Sequence, residues 1–165
     1  MAERAAPGAA AGLSRHDHAA CIRDALAEVE RVCADKGLRL TPVRRRTLEI
    51  LLESHRTMGA YDVLERLAAE GLGSKPPIAY RALGFLVDNG FAHRIEGRNG
   101  FVACAHPGER HDPAFLICRD CGKVGETRIA TAELDRSADL SGFAVERTVL
   151  EAEGLCNACK PEPAA

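Results

Sequence analysis

KPPIAYRALGFLVDNGFAHRIEGRNGFVAC, Lys75 to Cys104, changes its hydrophobic period halfway along. Ala79, Leu83, Leu86 and Val87 recur at helical spacing after a start at Pro76-Pro77, and Gly90 closes the run. Beyond Gly90 lie two short β-like runs around Gly97-Arg98-Asn99-Gly100, where Asn-Gly is a hairpin signal. A helix feeding directly into a hairpin narrows the fold class sharply, so the upstream segments decide it.

Two more helices precede this stretch. In RLTPVRRRTLEILLES, Thr41 can cap, Pro42 suits the first helical position, and Leu48, Leu51 and Leu52 form an apolar stripe. In AYDVLERLAAEG, Ala60, Val63, Leu64, Leu67 and Ala68 mark one amphipathic face, ended by Gly71. Three short helices followed by a hairpin is the element order of a winged helix-turn-helix, whose third helix enters the major groove of double-stranded DNA. With the apolar stripe inward, Lys75, Tyr80, Arg81 and Gly84 stay near the exposed start of that helix. Arg81 can present its planar fork to a guanine edge. Arg44, Arg45, Arg46, Arg94 and Arg98 are candidates for phosphate contacts.

Charge is distributed in the same sense. Lys36 to Arg98 hold 11 Lys and Arg against 7 Asp and Glu, whereas residues 99–165 hold 7 against 11. A basic middle and an acidic end point to two domains with different partners.

The acidic half contains two Cys-x-x-Cys pairs, Cys118/Cys121 in CRDCG and Cys156/Cys159 in CNACK. Ala114 to Cys118 reads as a strand running into the first pair, and Thr131 to Ser141 as a short helix. Phe143 to Gly154 reads as a strand delivering the second pair, with Phe143, Val145 and Val149 on one face. Seven cysteines are an odd number, and no secretion signal precedes them, so a disulfide framework is not expected. Four thiolates match tetrahedral zinc with no open position. Iron in a rubredoxin-like site and a redox dithiol pair are the alternatives. His93, Cys104, His111 and Glu126 are further potential ligands, but spacing alone does not join them.

RLTP, AYDVLERL, KPPIAYRALGFLVDNGFAHRIE and the paired Cys-x-x-Cys motifs resemble the ferric uptake regulator family over roughly residues 20 to 160. FAHR, the Cys of FVAC and GKVGE resemble its zinc uptake regulator branch most. The resemblance implies an α+β homodimer: an N-terminal winged helix-turn-helix over residues 19–104 and a small C-terminal α/β dimerisation and metal-binding domain over 105–160. Residues 1–18 and 161–165 are expected to be tails, with His16 and His18 tail residues and not ligands. It implies a zinc-responsive transcriptional repressor, the alternative being an iron- or peroxide-responsive regulator of the same family. Two zinc ions per subunit are implied: a structural one on Cys118, Cys121, Cys156 and Cys159, and a regulatory one on His93, Cys104, His111 and Glu126. Tyr61 and Arg81 align with positions that contact DNA in relatives. Three departures stand out. Ile78-Ala79 replaces the family's common Thr-Val before Tyr80-Arg81, a His-rich run is thinned to His106 and His111, and Arg147 stands where many relatives place a metal-binding His. His106 is thereby a candidate to replace or supplement His111.

The same reading sets aside other classes. No apolar run approaches the ~20 residues needed to span a bilayer, so no membrane partner is expected and a cytoplasmic location is the default. A zinc deaminase needs His-x-Glu and Pro-Cys-x-x-Cys. The chain has no His-x-Glu, and neither Cys pair follows Pro. No enzyme activity and no small-molecule substrate are expected.

Overall fold

A computed structural model describes Ala10, Gly12, Leu13 and residues 17–109 and 111–161 of the chain. The tail expectation for the other terminal positions, His16 included, lies outside the described residues. Four helices precede the hairpin, one more than the periodicity predicts: α1 (His18–Asp35), α2 (Pro42–Leu52), α3 (Ala60–Ala69) and α4 (Pro76–Asp88). His18 is therefore not a tail residue. It opens α1, with Nε2 2.9 Å from the Glu53 carbonyl oxygen.

Local chemistry explains the helix boundaries. The Asp17 carboxylate accepts from the Ala20 amide and caps α1. Thr41 caps α2 through the Arg44 amide, with Pro42 at its first position. The Gly59 amide donates to the Asp62 side chain at the start of α3, and Pro76-Pro77 open α4. The inward faces meet in one core containing Val29, Leu48, Leu51, Val63, Leu67, Leu83, Leu86 and Phe91. Each such side chain contributes about 1.5–3 kcal/mol on burial.

The hairpin pairs β1 (Ala92–Ile95) with β2 (Gly100–Ala103) in antiparallel register. Its tip is wider than a two-residue turn. Glu96–Arg98 make a 3₁₀ turn, and Asn99 takes the left-handed conformation (φ 45°) that returns the chain. At Gly100 the backbone approaches the α2–α3 loop closely. Phe101 and Met58 exchange amide hydrogen bonds of 2.8 and 2.9 Å, and a Cβ on Gly100 would lie 2.3 Å from Thr57 Cγ2.

The C-terminal half is a three-stranded sheet ordered β4-β3-β5, built from β3 (Ala114–Cys118), β4 (Val124–Thr127) and β5 (Leu150–Gly154), with α5 (Ala132–Leu140) in the crossover. β3 pairs antiparallel with β4 and parallel with β5. The strand expected from Phe143 is thus shorter, starting only at Leu150. β3 begins at Ala114, which pairs with Leu150, so earlier residues face no strand among the described ones. Phe143 stays 66% exposed and Val145 is exposed as well.

Wing and sheet share a second core of Ile95, Val102, Phe115, Ile117 and Val124. One cross-strand row runs Glu126–Phe115–Glu151, since Phe115 pairs with Glu126 on one side and Glu151 on the other. Side chains in a row project to the same face, here the face toward the wing.

Two glycines give opposite expectations. Gly100→Ala should lower stability by about 1–3 kcal/mol through overpacking. Gly84→Ala, in α4 with nothing within 4 Å of its added Cβ, should raise it by about 0.5–1 kcal/mol. Urea unfolding of the metal-loaded protein reads both, and equal midpoints would contradict the packing at Gly100.

Candidate metal centres and nucleic-acid interface

Parallel pairing of β3 with β5 places Cys118 beside Gly154, so both cysteine pairs emerge at one end of the sheet. The four Sγ atoms of Cys118, Cys121, Cys156 and Cys159 lie within 4.8 Å of one another. Cys121 and Cys156 are 3.7 Å apart. That is far beyond a disulfide and close to the edge of a tetrahedron with ~2.3 Å metal–sulfur bonds. Backbone amides of Cys156 and Cys121 point at the Cys118 sulfur and bring its pKa down to about 6. The Cys159 thiol is instead pushed up, chiefly by its hydrogen bond to Asp120, then by burial and the neighbouring thiols. A cation among them would favour the thiolate form of all four. The donor set fits structural zinc.

The second cluster is assembled from four separate elements. His93 sits on β1, Cys104 just after β2, His111 in the following loop and Glu126 on β4. Their donor atoms also lie within 4.8 Å of one another. Glu126 Oε1 is 2.6 Å from His111 Nε2, 3.5 Å from His93 Nε2 and 3.9 Å from the Cys104 sulfur. Cys104 Sγ is 3.7 Å from His111 Nε2. Glu109 O lies 2.9 Å from His111 Nδ1; donation there leaves Nε2 free to bind a metal, the usual way an outer hydrogen bond fixes a ligand's tautomer. The Ala105 amide holds Glu126 Oε2 at 2.8 Å.

Burial makes this arrangement demanding. Glu126 is 5% exposed and Cys104 3%. Desolvation raises the Glu126 pKa, but His93, the Ala105 amide and His111 outweigh it and hold it at about 2. Cys104 is pushed well above the usual thiol range by burial and then by the Glu126 charge. His93 Nε2 is buried without a hydrogen-bond partner, a cost that a shared cation would remove. His106 Nδ1 is likewise buried and unpartnered, 3.9 Å from Glu126 Oε1, yet it stands outside the four mutually close donors. The geometry thus groups His111, not His106, with the other three.

Tyr61, Lys75, Tyr80 and Arg81 are all exposed at the starts of α3 and α4. Tyr61 is 67% exposed and Tyr80 51%, so neither belongs to the core. Their rings meet edge-on, centroids 6.5 Å apart. The remaining cationic candidates are engaged within the chain. Arg44 lies 3.8 Å over the Phe85 ring and donates to the Arg39 carbonyl. Arg45 pairs with Glu30 and Glu49, and Arg46 with Glu49, Glu53 and Glu70. Arg94 pairs with Glu96, and Arg98 donates to Glu153 at 3.1 Å. Glu151 and Glu153, both against the wing, were missed from sequence; their alternation in LEAEG was the available signal.

With this geometry in place, the likeness to known proteins can be specified. The profile of the ferric uptake regulator family matches residues 35–152. A zinc uptake regulation protein of Escherichia coli K12 is 38% identical over 140 residues, 83% of this chain and 82% of that one. The solved structure of a zinc uptake regulator complexed with zinc and DNA superposes with a TM-score of 0.78 at 37% identity, covering 83% of this chain and 93% of that one. XcZur, 38% identical in both of its states, superposes with a TM-score of 0.74 as holo protein (81% and 94% covered) and 0.50 as apo protein (85% and 98%).

A protonated Cys104 sets a pH dependence. Binding through its sulfur must displace one proton, so metal affinity at this cluster should rise about tenfold per pH unit through the neutral and alkaline range, without levelling near the ordinary thiol value. Calorimetry in buffers of different ionisation enthalpy should count about one proton released per ion. A count near zero would mean that Cys104 is not a ligand.

Proposed function

The chain belongs to the ferric uptake regulator family, and from that premise we propose that it is a zinc-responsive transcriptional repressor acting as a homodimer on an operator in double-stranded DNA. His93, Cys104, His111 and Glu126 hold the regulatory zinc in this reading. Cys118, Cys121, Cys156 and Cys159 hold the structural one. The observation that carries the proposal is the second cluster itself: three protein segments and the wing converge on one buried point with an orphaned imidazole nitrogen.

The donors favour zinc. A thiolate with two imidazoles and a carboxylate suits it better than the harder Fe(II) or Mn(II), which prefer oxygen-rich sites. Sharing one ion ties β1 of the wing to β4 of the sheet and fixes the angle between reading head and base. Closer superposition on holo than on apo XcZur supports this, because the two states are equally similar in sequence. Coupling of this kind is typically worth about 1–3 kcal/mol. Leu134, Phe143 and Val145, all exposed, line one apolar depression that a second copy would cover. The domain division at 104/105 is retained as a working boundary, although the wing packs on both sides of it. Uptake genes for zinc are the targets this reading implies.

A regulator and not an enzyme is the reading, because both clusters have their positions taken by protein donors and offer no open site for chemistry. A cytoplasmic location is the one this reading implies, because its partner is DNA. Among the described residues no helix is long and apolar enough to cross a membrane.

Cys104→Ser should reduce bound zinc from two to one per subunit, and zinc should no longer tighten binding to a duplex selected in vitro by the wild type, a loss of about tenfold or more. Loss of both metals, or an unchanged zinc response, would refute the assignment. Arg81→Ala should cost about 1–3 kcal/mol on the selected duplex and much less on random DNA, measured by fluorescence anisotropy. Equal losses on both would make Arg81 a phosphate contact.

A further inference from the structure

Glu151 lies outside both metal clusters, yet its carboxylate engages two backbone amides of the wing. Its Oε1 accepts from the Glu96 amide at 2.7 Å and its Oε2 from the Gly97 amide at 2.9 Å. These are the first two amides of the 3₁₀ turn at the wing tip, donors that a helical turn leaves without partners of its own. Successive amides of this kind form an anion-binding nest. Gly97 allows the approach: a Cβ there would stand 3.0 Å from Glu151 Oε2. One residue further along the wing, Arg98 donates to Glu153 at 3.1 Å.

These contacts join residues 54 and 55 positions apart, across the two halves of the chain. They bridge the wing tip and β5 and so depend on how the two halves are oriented. The row Glu126–Phe115–Glu151 places this carboxylate across β3 from the metal-binding one. Phe115 between them packs against the His93 ring, centroids 5.3 Å apart. A wing held by Glu151 therefore brings His93 to Glu126 before any ion arrives.

We propose that Glu151 is a positioning residue for the regulatory site, a metal-independent latch that captures the wing tip and preorganises His93 against Glu126. The inference rests on the reading of that cluster as a zinc site. Preorganisation lowers the ordering cost that zinc would otherwise meet, so losing the latch must weaken zinc binding without removing a ligand. Because a charged acceptor makes the stronger hydrogen bonds to those amides, removing the Glu151 charge must loosen the contact.

The test uses the full-length protein with Glu151→Gln, which keeps size and removes the charge, and Glu146→Gln as an exposed acidic control. Zinc competition against a fluorescent chelator should show affinity at the junction site reduced about tenfold, with metal at the four cysteines unchanged. The saturated Co(II) spectrum should match the wild type, since no ligand is lost. Small-angle scattering with the four-cysteine metal alone in place should give a larger radius of gyration for Glu151→Gln than for wild type or Glu146→Gln. Zinc affinity within twofold of wild type, an altered saturated spectrum, or unchanged scattering would each overturn the latch. If the wild type itself takes up no second metal, the zinc reading fails instead, and scattering alone then decides whether Glu151 holds the wing.

Discussion

A carboxylate sealed at 5% exposure between two imidazoles and a thiol constrains everything around it. Glu126 cannot be charged there cheaply without positive charge nearby, and two of the groups that face it, His93 and Cys104, belong to the wing and its exit. The sheet would be free to part from the helical half were this corner hydrocarbon on both sides and weakly packed. Instead, Ile95 and Val102 interlock with Phe115, Ile117 and Val124 around it. Apolar contact supplies adhesion with little sense of angle, and the polar row Glu126–Phe115–Glu151 supplies the angle.

The two metal clusters solve different problems. Four thiols at one end of a three-stranded sheet join the ends of β3 and β5, which otherwise meet only through five residue pairs. A small sheet of that size gains most of its stability from such a staple. The other cluster spans wing and sheet, which already share an apolar core, so on the proposed reading its occupancy would set orientation. That separation explains why closed coordination serves both without redundancy.

Much of this was legible in the sequence, for identifiable reasons. α2, α3 and α4 carry start signals, a cap or a proline pair, and a continuous 3.6-residue stripe, and the four cysteines carry their own spacing. α1 escaped because Val29, Val32 and Cys33 are its only fully buried residues, spread through a charged segment. β4 escaped because Val124, Gly125 and Glu126 are all buried; the burial comes from the junction it lines, not from alternation. His93, Cys104, His111 and Glu126 share no spacing rule and were grouped only through family resemblance. Long side chains were the least readable: nothing in Arg45, Arg46 or Arg98 as letters tells which carboxylate each will reach.

That last feature bears on how the protein finds its target. Binding to arbitrary duplex is driven mainly by release of condensed counterions, one for each phosphate a free cation neutralises. Here Arg45, Arg46, Arg94 and Arg98 each pair with a carboxylate of their own chain, while Lys75 and Arg81 stand exposed near the two tyrosines. On the repressor reading, such pairing lowers the charge offered to arbitrary duplex, so occupancy of an operator would track the ion more than bulk electrostatic adhesion.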